Sequence, residues 1–286
     1  MFAIIGIVVT IVSVIGGYAA GGGHLGVLWQ PFEFVIIIGA AFGSMLLGNP
    51  KSTIMGVFKN LGTVFKGPHY RKDAYIELLS MLYAVFKLAK TKGDLALESH
   101  VEKPDDSPLF AKFPGFNGDH HVRTFLCDYL RLLTLGTSNA HELESIIDGE
   151  LEAHHREYHE MSHAVVLMAD AMPALGIVAA VLGVIHTMGS ITEPPEVLGH
   201  LIGAALVGTF SGVLLSYAFF APVGRNLQMA FDSDHYYFMA MKAGLLAHMQ
   251  GYAPQVSIEF ARKILPDELR PTFQELEETV TNLPPD

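Results

Sequence analysis

The sequence predicts an all-α membrane protein: four transmembrane helices, a helical cytoplasmic domain between the second and third, and a helical cytoplasmic tail. Three observations lead there. Half of the 286 residues are hydrophobic and only 16% are charged, too apolar for an ordinary soluble domain and too charged for a chain wholly inside a bilayer. The apolar residues gather in runs of about twenty, and twenty helical residues span roughly 30 Å, the thickness of a bilayer's hydrocarbon core. The 18 Lys and Arg residues fall in two blocks, Lys51 to Arg156 and Arg225 to Arg270, with none in residues 1–50 or 157–224.

Basic residues are retained on the cytoplasmic side of a membrane. Both blocks therefore face the cytoplasm, with Lys51, Lys59, Lys66 and Arg225 nearest the membrane ends. The loops at 21–30 and 192–197 carry no basic residue and face outward. Four crossings with both termini inside satisfy this pattern. The chain then divides into spans one and two (1–48), a cytoplasmic helical domain (49–168), spans three and four (169–224) and a cytoplasmic tail (225–286).

Residues 1–20 are uncharged and long enough to cross. They lack the basic leading region of a secretory signal, so they are read as a span. Gly16, Gly17 and Gly21 to Gly23 give a flexible outer loop without the Lys-Ser/Thr ending of a phosphate-binding loop. Pro31 opens the second span, which Asn49-Pro50-Lys51 stops near Gly48. In the cytoplasmic insert, Lys72–Lys92 is amphipathic, with Ile76, Leu79, Tyr83 and Phe86 on one face. Residues 103–118, rich in Pro, Gly and Asp, read as a loop, and 121–135 and 139–168 as helices. Asn139 with Glu142 forms a cap close to a capping box, and the second of these helices runs on toward the membrane. After Arg225 the tail is helical to about Gln250, then shorter and broken by prolines.

The chain is organised around the hairpin made by the apolar runs 172–191 and 198–222. Small and hydroxyl residues recur on one face of each: Gly176, Ala180, Gly183, Thr187 and Ser190, then Ala205, Thr209, Gly212 and Ser216. Lipid gives helices no hydrophobic reason to associate, so such stripes mark close helix packing. They could equally line a wet ion path, with Thr209 bonding water or a partner. Pro173 and Pro222 sit near the same membrane face. Pro222 leaves the Ala218 carbonyl without its donor, and Pro173 does the same to Ala169 if the helix extends that far back, which suggests a flexing point.

Enzymatic signals are sparse. His159-Glu160-Met161-Ser162-His163 fits the H-E-x-x-H zinc pattern, with His155 one turn back and His154 and His141 nearby. A catalytic zinc needs three protein ligands, and no third follows at a recognisable spacing, so a solvated helix face is the better reading and no metal is expected. No Ser-His-Asp set, nucleotide-binding glycine motif or CxxC pair is present, and Cys127 reads as a buried apolar position. The net charge of −11 argues against nucleic acid, which needs a basic face. Membrane carboxylates would be the natural proton carriers. Asp170 and Glu33, however, lie at span ends, and no acid falls within the hydrocarbon depth of a span. An ion crossing here needs a membrane partner that brings an acid. Lys90, Lys92, Asp94 and Glu98 form a mixed-charge stretch, either ordinary surface or a docking edge for an oppositely patterned partner.

Several stretches carry a resemblance: Leu97-Glu98 before Glu102-Lys103-Pro104, Cys127-Asp128-Tyr129-Leu130-Arg131-Leu132, Pro173 through Gly183, Val207-Gly208-Thr209-Phe210, Gly251-Tyr252-Ala253-Pro254, Glu259-Phe260 and Arg270-Pro271. On these, over nearly the whole chain, the sequence resembles the MotA family, the larger stator subunits of bacterial flagellar motors. The resemblance implies a ring, five-fold around two copies of MotB, in the bacterial inner membrane and in contact with its lipid. MotB would supply the membrane aspartate and the peptidoglycan anchor, and ion passage would turn the ring against a rotor switch-complex protein. It implies no cofactor beyond the proton as coupling ion. It places Thr209 and Ala180 on the ion path, with Ala180 standing where sodium-driven relatives carry threonine. Pro173 and Pro222 would couple ion flow to shape change, Lys90 and Glu98 would contact the rotor, and Asp170 would be an acid near the inner mouth. Lys90 replaces the family's arginine, keeping the charge but not the bidentate fork. The alternatives are an ExbB/TolQ-like energiser, typically of three spans, and a membrane metalloprotease using His159, Glu160 and His163.

Overall fold

The computed structural model describes residues 2–137 and 139–283, and among these the regular structure is entirely helical. Four helices are long and apolar enough to cross a membrane: α1 (Phe2–Ala20), a second over Leu25–Gly48 whose main body is α2 (Pro31–Gly48), and two much longer ones reaching beyond any bilayer. Pro31 occupies the first turn of α2, where its missing N–H costs nothing, and Asn49-Pro50 ends the helix in extended backbone. A short helix α3 (Lys51–Asn60) follows at once.

The insert is built around α4 (Lys72–Lys92). The sequence marks one apolar face on it, but eleven of its residues are buried, including Tyr75, Leu78, Leu82 and Val85 beside Leu79 and Phe86. Ile76 and Tyr83, read on the same apolar face as Leu79 and Phe86, are only half-buried. The helix is enclosed because α5 (His120–Thr134) and the tail helices pack around it. Asp119 caps α5, its Oδ1 accepting from the amides of His121 and Val122. Residues 103–118, read as a loop, fold into three short turns that carry Phe110 and Phe116 into the core.

The third long apolar helix, α6, is one continuous element, Ala140–Met188, through Pro173. Its Asn139 cap is formed: Oδ1 accepts from the amides of His141 and Glu142 at 3.1 and 3.4 Å. A turn over 189–194 leads to α7 (Pro195–Met249), which begins three residues earlier than the apolar run because Pro195 opens it. The tail adds α8 (Pro254–Ile264) and α9 (Phe273–Thr281), the latter closed by a full capping box between Thr272 and Glu275.

The chain packs as two compact units. The first comprises residues 1–67 and 156–231, with a core of Ile37, Ala41 and Met45 from α2, Ile54 and Val57 from α3, and Ala164, Val165, Met168 and Leu227 from the long helices. The second comprises 68–155 and 232–286 and holds the larger core, around α4. There Tyr70 stacks on Tyr237 with ring centroids 3.9 Å apart, its hydroxyl donating to Asp119 and its amide to Asp234.

Candidate functional site

Within the first unit α6 and α7 return along each other in one antiparallel register. Gly176 faces Gly212, Ala180 faces Gly208 and Gly183 faces Ala205. A Cβ built on Gly176 would stand 2.8 Å from the Gly208 carbonyl oxygen, and one on Gly183 would stand 2.8 Å from the Ala205 methyl. Only hydrogen-sized side chains let two helix backbones come this close. Gly176, Gly183, Ala205 and Gly212 therefore pack a helix seam. Gly208, absent from the stripes read in the sequence, completes it. Ala180, across the seam from Gly208, and Thr209, next to Gly208 in the chain, are half-buried. Thr187 is buried and spends its hydroxyl on the Gly183 carbonyl, 2.8 Å away.

Glu33, read as lying at a span end, reaches into the hairpin. Its carboxylate lies between Gly183 and Gly208: Cβ atoms there would stand 3.5 Å from Oε1 and 2.8 Å from Oε2. Both glycines are near the middle of their apolar runs, so the acid sits well inside the hairpin's outer tip. The reason is length. From Gly183 to the end of α6 is five residues, roughly 7–8 Å of helix rise, so the hairpin extends outward past the start of α2. Oε2 is enclosed and has no hydrogen-bond partner among the described residues.

Pro222 stands beside a π-helical turn, Leu215–Phe220, in which the Ala221 amide reaches back five residues to the Ser216 carbonyl. Shifted pairing of this kind is how a membrane helix absorbs a missing proline donor. Pro173 lies mid-helix and half-buried, since α6 does extend back past Ala169, and Asp170 one turn before it is exposed. Below these residues the long helices meet again, where a Cβ on Gly224 would stand 2.7 Å from Val166.

In the second unit Lys90 and Glu98 flank the end of α4, both exposed. Lys90 is engaged: its ammonium donates to the Gly251 carbonyl at 3.3 Å. Asp94, read only as part of a mixed-charge stretch, lies 3.5 Å from His248.

His159 and His163 stack on one turn of α6 with ring centroids 5.8 Å apart and are exposed. Among the described residues no three His, Cys, Asp or Glu side chains are placed to hold one metal ion. A separate imidazole cluster lies in the second unit. His121 and His154 meet edge to face over Phe238, and His155 and His235 approach to 5.0 Å beside Asp232. Burial first, then the neighbouring imidazoles His121, His235 and His155, push the His154 pKa down to about 4. Burial and His155 lower His235 likewise. Cys127 is buried, which pushes its thiol up to about 11 and leaves it unreactive.

Two family signatures match the chain: Motility protein A N-terminal over residues 4–93, and the MotA/TolQ/ExbB proton channel family over residues 118–238. The chain is 40% identical to Motility protein A of Escherichia coli (strain K12) over 280 residues, 98% of this chain and 95% of that protein. Its fold is similar to that of C. jejuni MotAB, at a TM-score of 0.78 and 21% identity, covering 95% and 98% of the two chains. It is similar also to the flagellar MotAB stator complex from Bacillus subtilis, at a TM-score of 0.70 and 26% identity, covering 90% and 92%.

Proposed function

Because the chain belongs to the Motility protein A family, we propose that it is a stator subunit of a bacterial flagellar motor, forming with a MotB-like subunit a proton channel that converts ion flow into torque on the rotor. The likeness at 40% identity across 98% of the chain carries this reading, because it takes in the membrane hairpin and the cytoplasmic edge together. The protein lies in the inner membrane with both termini cytoplasmic, a placement supported by the two basic blocks. The partner brings the aspartate that binds the proton, and several copies of this chain, five by the family pattern, ring a pair of partners.

In this reading the α6–α7 seam is the rigid wall. Its glycine contacts leave no room for sliding, so motion is confined to where the backbone pairing is already irregular, at the π-turn before Pro222 and at Pro173. Thr209 and Ala180 face the ion. Asp170 stands near the inner mouth, and Lys90 and Glu98 meet the rotor. The ExbB/TolQ reading is disfavoured by the fourth apolar helix, and the protease reading by the want of a third ligand beside His159 and His163 among the described residues. Deleting the gene is expected to leave flagella assembled but paralysed. A deletion strain that swims normally without a second stator system would overturn the proposal.

A further inference from the structure

The segment that leaves the second span is purely basic. From Phe34 to Lys72 the chain carries Lys51, Lys59, Lys66, Arg71 and Lys72 and no acid, in a protein whose net charge is −11. α3 displays two of these cations on one face: Lys51, Met55, Phe58 and Lys59 fall at i, i+4, i+7 and i+8, and all four are exposed. Its other face is spent inside the protein, with Thr53, Ile54 and Val57 buried and Gly56 against Met161 of α6. Neither Lys51 nor Lys59 has an ion-pair or hydrogen-bond partner among the described residues.

One contact sets the depth of this face. The Phe58 ring meets Phe42 edge to face, with centroids 6.1 Å apart. Phe42 lies well before Gly48, the last residue of α2, by roughly 9 Å of helix rise. α3 therefore folds back against the inner end of the span instead of leading away from it. Leu47, in the last turn of α2, is 91% exposed, and Phe58 is 52% exposed. Large apolar side chains interleaved with cations suit the boundary between acyl chains and headgroups. There the Phe58 ring and the Met55 thioether enter the chains, and the lysine stems carry their charges out to the phosphates. A basic face without acids matches an anionic headgroup and not a zwitterionic one, whose own cation it repels.

We propose that α3 is a seat for an anionic phospholipid of the inner leaflet, with Lys51 and Lys59 on the headgroup phosphate and Met55 and Phe58 among the acyl chains. The inference rests on the membrane placement proposed above and not on the motor reading. A lipid held there braces the junction between the second span and the cytoplasmic insert, since the opposite face of the same helix packs into the core with α6. Each Lys near an anionic surface contributes a factor of about five in affinity, so the pair should favour an anionic over a zwitterionic lipid by about 25-fold.

The experiment uses the full chain in phosphatidylcholine vesicles. Cys127 is buried and its thiol pushed up to about 11, so a cysteine introduced by Met55→Cys takes a fluorescent label selectively. Brominated phosphatidylglycerol or brominated phosphatidylcholine is titrated in as the quencher. Half-quenching should need about 25-fold less of the anionic lipid, and Lys51→Gln with Lys59→Gln should abolish the difference. Both lysines are exposed and unpaired, so the double variant is compatible with the fold. A label on Val9→Cys, in α1 and likewise exposed, is the control and should be quenched equally by the two lipids. Equal quenching by both lipids at position 55, no quenching there, or a preference that survives the double substitution would overturn the inference. So would loss of the preference on adding inorganic phosphate at constant ionic strength, which would make this a site for the free anion. Unquenched labels at both positions would sink the membrane placement beneath it.

Discussion

Gly176 and Gly212 meet backbone to backbone: a Cβ on Gly212 would stand 2.8 Å from the Gly176 α-carbon and 2.6 Å from the Met172 carbonyl oxygen. Neither neighbour is a flexible side chain that could move aside. Gly212→Val should therefore force the hairpin apart at a cost of about 1–3 kcal/mol or more, seen as lost motility and faster proteolysis in membranes. Gly39→Ala, with nothing within 4 Å, is the matched control and should be silent. Equal motility in the two strains would remove the seam.

Pro222→Ala restores an amide that can reach the Ala218 carbonyl. The π-turn over Leu215–Phe220 then loses its reason to exist, and the helix can return to regular pairing. Membrane levels should hold while swimming falls steeply. The same substitution at Pro173 should act in the same direction, and unchanged swimming in both would rule out the prolines as the flexing point.

Thr209→Val keeps the shape beside Gly208 and removes the hydroxyl. Assembly should be unchanged and ion flux reduced, measured as acidification of cells that overproduce the stator. With protons as coupling ion, swimming speed should collapse with a protonophore and stay flat as sodium varies. Speed that tracks sodium and ignores the protonophore would overturn that choice of ion and the weight placed on Ala180.

Lys90→Glu and Glu98→Lys should each weaken torque without disturbing membrane insertion, because both side chains are exposed and no core depends on them. The effect should shrink as ionic strength rises in permeabilised cells, since exposed charges farther apart than about 8 Å are screened at physiological salt. Swimming unaffected by both reversals together would exclude this edge as the rotor contact.

The imidazole cluster makes the second unit sensitive to acid. The His154 pKa is lowered in the fold, from 6.5 to about 4, so between those values the unfolded chain binds the proton and the folded chain does not. Stability is full above pH 6.5, falls as the pH drops through that window and levels off below about 4. His154 is only partly buried, so solvent screening limits the loss to on the order of 1 kcal/mol. Hydrogen exchange of the detergent-solubilised protein at pH 7 and pH 5 should show it, and His154→Leu should flatten it. His235 shifts in the same direction and adds to the slope.

Much of this protein could be read before any coordinates. The number of long apolar helices follows from run length against bilayer thickness, and the Asn139 cap and the Pro31 start follow from local backbone chemistry. The amphipathic reading of α4 went only part of the way. Ile76 and Tyr83 turned out half-buried while Tyr75, Leu78 and Leu82 were enclosed, because a one-face pattern cannot register neighbours that arrive from three sides. The buried phenylalanines Phe110 and Phe116 lie inside residues 103–118, whose Pro, Gly and Asp content reads as loop.

The sequence by itself determined which long segments are helical, which are apolar enough to cross a membrane and which residues are small enough to pack there, since these depend on neighbours along the chain. Tertiary structure alone decided that Gly208 rather than Thr209 sits in the seam, that Glu33 reaches its middle, and that Asp94 meets His248. Each of these depends on how far one helix has slid past another. A slide of a few ångströms leaves every local propensity untouched and changes which side chains meet.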